Sequence, residues 1–427
     1  GGLLAQLSRG RGARVSLLTL NRGESGDNAI GPELFDAVGL IRTEELRVAG
    51  RYYGLDRQYF TTMTDYGFSK RLEEALTKWG RENVLREVVR IIRMDRPFVL
   101  IARFQGNRRD GHGNHEAAGL ITQQAFRAAG DPARFPEQIR DGLRPWQPMK
   151  LYMGGVREDE DWTVRVDTGE YSPWLGESYQ SFSRIGLAFQ RSQNGGRVGS
   201  QAGSSIAYYK RLASVLDAVR LKPDTTGTTA PGTTAPRTIA PSVVSGFSRT
   251  KENSFFDGID TSIPGIFNAL HRQAPPAAAA LLSAIDVEVR AAIEAFSMQH
   301  PSAVVPALAR GLRATVTAIA RLSDEPDAVF ILKVKEQQFQ DAINAALGID
   351  FQAIASVPGP LVPGQRVSVD LSLTNHGLVS IDDLTFALVA PTDWKPLELT
   401  ISDARLRQNE SERHALTLTV PDDAPLT

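Results

Sequence analysis

Six histidines are scattered over the 427 residues, and only two share a loop: Asp110-Gly111-His112-Gly113-Asn114-His115-Glu116. Imidazole can ligate zinc or iron, or carry a proton near neutral pH, and neighbouring carboxylates can orient it. Glycines at 111 and 113 let the backbone turn sharply. The stretch opens a helix expected over 116–128, so His115 at its start would project into a crevice. Spacing alone leaves a second reading open, a polar helix cap with two solvated histidines. The chain has no cysteine, which excludes disulfides, thiolate nucleophiles and cysteine-ligated metal sites. A metal here would have to be held by histidines and carboxylates.

The histidine loop needs a scaffold, and the preceding sequence supplies its pattern. Val15 to Leu20 and Phe98 to Ala102 are short apolar runs. Between them lies an amphipathic helix with Val84, Leu85, Val88, Val89, Ile91 and Ile92 on one side and Arg86, Glu87, Arg90 and Arg93 on the other. Pro97 disfavours helix in the residue before it and ends the segment. Apolar strands alternating with helices predict an α/β fold, with a parallel sheet covered by helices on both faces. Ligands of such sheets sit beyond the carboxyl ends of the strands. That rule points to the loops after Leu20 and after Ala102, and the second carries both histidines.

Beyond about residue 155 the pattern changes. Lys222 to Pro236 is rich in Thr, Pro, Gly and Ala, with too little apolar surface to offset the entropy of ordering. We read 220–250 as an uncored linker or insertion. Three alanine-rich helices are expected over 277–296, 303–322 and 328–347 within a helical region spanning 254–350. Period-two alternation then appears in Val367, Val369, Leu371 and Leu373 and recurs near 384–388 and 415–420. This predicts an antiparallel β-sandwich over 357–427. The balance of 48 Lys+Arg against 49 Asp+Glu removes the usual electrostatic argument for a nucleic-acid partner. No apolar run reaches the roughly 18 to 20 residues that span a bilayer, so no transmembrane segment is expected.

Four segments carry a resemblance: Gly1-Gly2-Leu3-Leu4-Ala5, Leu18 to Gly26, Arg42-Thr43-Glu44-Glu45-Leu46, and Gly111-His112-Gly113-Asn114-His115. Their order resembles that of the PIG-L/LmbE-type deacetylases over roughly residues 1–195, which implies a deacetylase domain at 1–200. The resemblance implies a Rossmann-like sheet and zinc-dependent removal of acetyl groups from N-acetylglucosamine-like sugars. It implies His115 as a zinc ligand, His112 as the histidine that stabilises the oxyanion in its protonated form, and Arg42 as a residue facing the sugar. Glu45 would brace the helix. The family's His-Pro-Asp-Asp-Glu motif, which supplies the other protein zinc ligands and the general base, would lie immediately before Gly1. The chain as given is therefore expected to hydrolyse no N-acetyl sugar, while its full-length parent would. Asn21 stands where the family commonly has threonine, and Gln190 where relatives often have histidine. The rival reading is a non-catalytic glycan-binding or assembly protein that keeps the fold. Multidomain relatives with accessory sandwiches are compatible with export, and the compartment and oligomeric state stay open.

Overall fold

Two crossovers of the strand–helix–strand kind organise the first part of the chain. In this computed structural model, residues 1–199, 203–216, 251–357, 361–387, 398–400 and 405–424 are described. The chain divides into two compact units, Gly1–Gly258 and Ile259–Thr427. In the first, β1 (Ser16–Thr19), α1 (Asp36–Tyr53) and β2 (Arg57–Phe60) form one crossover. β1 and β2 pair in parallel from Ser16 opposite Arg57 to Thr19 opposite Phe60. Helices α2 (Leu72–Trp79) and α3 (Arg81–Asp95) lead to the second crossover: β3 (Val99–Ala102), α4 (Gly113–Ala128) and β4 (Lys150–Val156). β3 and β4 are also parallel.

The single parallel sheet expected from the sequence is not what forms. The parallel pairs belong to separate sheets, and β4 continues into an antiparallel ladder with β6 (Ile206–Ser214), which in turn pairs with β5 (Val164–Asp167). The fold is mixed α/β. The segment around Tyr208-Tyr209-Lys210, for which the sequence pattern predicts no strand, is the strand β6. It has a partner strand on each side, and aromatic residues favour such a half-buried pleated surface. Tyr209 packs with Tyr152, Val164 and Phe255.

Helix α3 buries Val84, Leu85, Val88, Val89 and Ile92 as its periodicity requires. Arg93, assigned to its polar side, is instead 0% exposed. Glu252 returns the chain to the sheet after the 220–250 stretch, which lies outside the described residues. Its buried carboxylate accepts from Lys150 Nζ at 3.2 Å, and also from the Tyr152 hydroxyl and Arg211.

In the second unit, α5 (Ala278–Ala295), α6 (Val305–Arg321) and α7 (Pro326–Leu347) match the three expected helices. Their core contains Leu282, Ile285, Leu308, Leu332 and Phe339. Among the described residues the helical stretch Pro301–Arg321 is long and apolar enough by length and composition to cross a membrane, which by itself establishes no transmembrane segment. It buries Ala307, Leu308, Gly311, Thr315 and Ala318. The strands β7 (Ile349–Ser356), β8 (Arg366–Asn375) and β11 (Ser411–Thr419) form an antiparallel sheet with β8 central. A separate antiparallel pair joins β9 (Thr385–Ala387) to β10 (Glu398–Thr400).

Candidate active site

The loop from β3 to α4 is shaped by one carboxylate. Asp110 accepts the main-chain N–H groups of Gln105 at 2.9 Å, Gly106 at 2.8 Å and Asn107 at 3.2 Å. The short helical turn Arg108–Asp110 then ends at Gly111, whose φ of 72° is in the left-handed region that glycine tolerates. Gly113 has a different task from the sharp turn expected of it. It is the first residue of α4, and a Cβ there would sit 2.5 Å from the Arg71 carbonyl oxygen.

His112 is the N-cap of α4, and its Nδ1 accepts the Asn114 N–H at 3.1 Å. Histidine is an uncommon cap, but the need is general, because the first N–H groups of a helix lack partners within it. With Nδ1 used as an acceptor, the ring proton resides on Nε2. Burial, followed by the facing charge of His115, holds the His112 pKa below the usual histidine value, with Asp65 opposing. Both effects favour the neutral form of the free ring. His115 is exposed and lies flat against Phe104, with centroids 4.0 Å apart and planes at 8°. Its Nδ1 is 3.4 Å from the Asp110 carbonyl oxygen. The two histidine rings are 5.1 Å apart. The cap reading and the functional reading of this loop are thus compatible, since the cap occupies one nitrogen only.

Loops from the carboxyl ends of β1 and β2 meet this helix start. The Asp65 carboxylate accepts from Asn114 Nδ2 at 3.0 Å and from the Ser25 hydroxyl at 2.6 Å. Buried Glu24 accepts the N–H groups of Arg22 at 3.1 Å and Asp65 at 3.0 Å. Sequence reasoning missed Asp65. Its only signal is the acidic residue of Asp65-Tyr66-Gly67, a turn-like stretch beyond the β2 run. Arg42 stands one step further back: its two terminal nitrogens donate to the carbonyl oxygens of Gly23 and, at 2.7 Å, Asp27. It braces the loop that carries Ser25, and a sugar contact would be additional to those bonds. Glu45 accepts the Ser192 N–H at 2.8 Å and the Ser192 hydroxyl at 2.5 Å, tying α1 to the short helix Arg191–Asn194.

A catalytic zinc needs three protein ligands. Among the described residues no group of three or more His, Asp or Glu side chains is placed to hold one ion. These residues do not complete a zinc site.

Residues 1–126 match the PIG-L family, described as GlcNAc-PI de-N-acetylase. A 1D-myo-inositol 2-acetamido-2-deoxy-alpha-D-glucopyranoside deacetylase 2 from Saccharopolyspora erythraea is 31% identical over 155 residues, covering 33% of this chain and 54% of the relative. The corresponding deacetylase of Thermobispora bispora is 31% identical over 156 residues, covering 33% and 49%. The chain thus spans about half the length of these curated relatives. Among solved structures, an N,N'-diacetylchitobiose deacetylase from Pyrococcus horikoshii aligns with a TM-score of 0.35 at 18% identity, covering 45% of this chain and 64% of that one. So slight a structural likeness carries no argument. The family match covers the β1 and β2 loops and the histidine-bearing helix start, and the chain carries, over residues 1–126, a domain of the PIG-L family.

Proposed function

We propose that the full-length protein hydrolyses the acetamide of an N-acetylglucosamine-like amino sugar or its conjugate, releasing acetate and the free amine. The observation that carries this reading is the start of α4. There His112 keeps Nε2–H available beside His115, at the carboxyl ends of the strands and within the family domain. An amide carbonyl gains negative charge on oxygen as water adds. A fixed N–H donor aimed at that oxygen is typically worth about 3–4 kcal/mol of barrier. His112 Nε2 is the donor we assign, and it carries its proton whether the ring is neutral or charged. Asp65 and Asn114 hold the helix start in register with the β1 and β2 loops. Arg42 acts by holding the Gly23–Asp27 turn, with sugar binding as its proposed further role.

Zinc remains a proposal resting on His115 as one ligand, and no step above passes through it. On the same reading, the deacetylase domain begins in 1–200 and takes in β6, which completes its mixed sheet. Residues 254–350 and 357–427 are then a helical extension and a sandwich that position it on a glycan or a partner.

The test is acetate release from N-acetylglucosamine conjugates by the full-length protein, with free amine appearing in equal amount. His115→Ala should lower both zinc content and activity, and His112→Ala activity alone. No acetate from any N-acetyl amino sugar would overturn the reading in favour of a glycan-binding module. Equal zinc loss in both variants would show that the two histidine roles are wrongly assigned.

A further inference from the structure

Phe68 is a large apolar side chain in an unusual place. Three quarters of it (75%) is exposed, yet its ring meets His112 edge to face, with centroids 5.1 Å apart and planes at 78°. Phe35 is comparably exposed at 70%, but it belongs to the turn before α1 and not to this loop. The backbone that presents Phe68 is pinned on both sides. Before it, the Gly67 N–H donates to the Asp65 carboxylate at 3.3 Å, and that carboxylate is tied to Asn114. After it, the Ser69 carbonyl oxygen accepts the Gly113 N–H at 2.6 Å, and the Ser69 hydroxyl donates to Glu74 at 2.6 Å. Lys70 adds a cationic donor whose Nζ lies 5.9 Å from the ring centroid. An exposed aromatic ring held on an anchored loop, beside an available N–H donor and a cation, has the composition of a small-molecule site: apolar surface with a few placed polar groups.

Resting on the deacetylation reading, we propose that Phe68 is the platform on which the pyranose ring of the substrate packs, setting the acetamide against His112. A pyranose presents a face of C–H groups that suits an aromatic surface, while its hydroxyls and acetamide point outward to polar partners. An acyclic N-acetyl amine offers no such face. Phe68 would therefore determine specificity for cyclic amino sugars. Because the loop is already pinned, little ordering entropy opposes that contact.

The experiment is saturation-transfer NMR and affinity measurement with methyl N-acetyl-β-D-glucosaminide on the full-length protein, its fold checked by thermal unfolding. Transfer should be strongest to the axial hydrogens H1, H3 and H5, which share one face of the sugar. Phe68→Ala should weaken binding about tenfold and remove that bias, while Phe68→Trp should keep both. If the wild-type protein binds the glycoside and Phe68→Ala binds it equally well with the same bias, the platform is refuted and the deacetylation reading stands. If the wild-type protein binds no N-acetyl amino sugar, the reading itself fails, and the platform with it.

Discussion

The two ends of helix α4 solve opposite problems. At its carboxyl end, buried Arg93 donates to the carbonyl oxygens of Ala128 at 3.4 Å, Ala129 at 3.1 Å, Asp131 at 2.8 Å, Arg134 at 2.8 Å and Phe135 at 3.3 Å. It also reaches Gln138 Oε1 at 3.0 Å. The last carbonyls of a helix lack partners within it and carry partial negative charge, so a cation there is doubly suited. Every acceptor in this cage is neutral. At the amino end, His112 satisfies one N–H through Nδ1 and retains a second nitrogen, and the neighbouring His115 is exposed. One end has its polar capacity consumed within the protein, and the other keeps part of it available to a ligand. On the proposed function, stability and chemistry are thereby separated along one helix.

The sharpest way to break this comparison is at the closed end. Arg93→Met should cost about 3–5 kcal/mol of unfolding free energy, because it leaves several buried carbonyls without donors. Arg93→Lys should recover little, since an ammonium cannot reproduce the planar fork that reaches these acceptors. Urea unfolding of the intact protein checks both, and a loss of less than about 1 kcal/mol would show that the cage does not hold that end.

At the open end the expected stability effects are smaller. His112→Ala should cost about 0.5–2 kcal/mol through the lost cap, whereas His112→Asn, itself a good cap, should stay within roughly 0.5 kcal/mol of wild type. If Asn is as damaging as Ala, the ring does more at this position than cap the helix.

The smallest effect, absent at neutral pH, concerns a group at neither end. The Tyr53 hydroxyl donates to the Ser183 carbonyl oxygen at 3.0 Å, and burial pushes its pKa up to about 12. A folded-state value raised above the unfolded value of about 10 favours the neutral phenol in the native state. Its contribution to stability is therefore complete below pH 10 and is lost as pH rises from 10 toward 12. Tyr53→Phe should remove that alkaline dependence in denaturation curves collected across the range.

What was legible in the sequence follows from how local each feature is. The histidine pair could be read because its two members lie three residues apart where an apolar run gives way to a helix. The buried stripe of α3 follows from periodicity, and the three helices of the second unit from alanine-rich runs separated by prolines. Arg93 did not, because the carbonyls that require it belong to residues 128–135, and an arginine among arginines on a helix reads as solvent-facing. Strand β6 escaped because its identity depends on β4 and β5 on either side of it. Asp65 depends on the convergence of three loops, and its partners Ser25 and Asn114 lie far from it in sequence. Phe68 reads from sequence as one more apolar residue, and its exposure beside His112 emerges only when the loop is pinned to the helix start.

The central claim is that the open end of α4 is a reactive site whose donor is His112. Its most direct test is kcat/KM for acetate release by the full-length protein carrying His112→Asn, where the cap and the fold are preserved. A fall of about 10²–10³-fold, the usual consequence of removing one oxyanion donor, is the predicted result. An unchanged kcat/KM would contradict the claim.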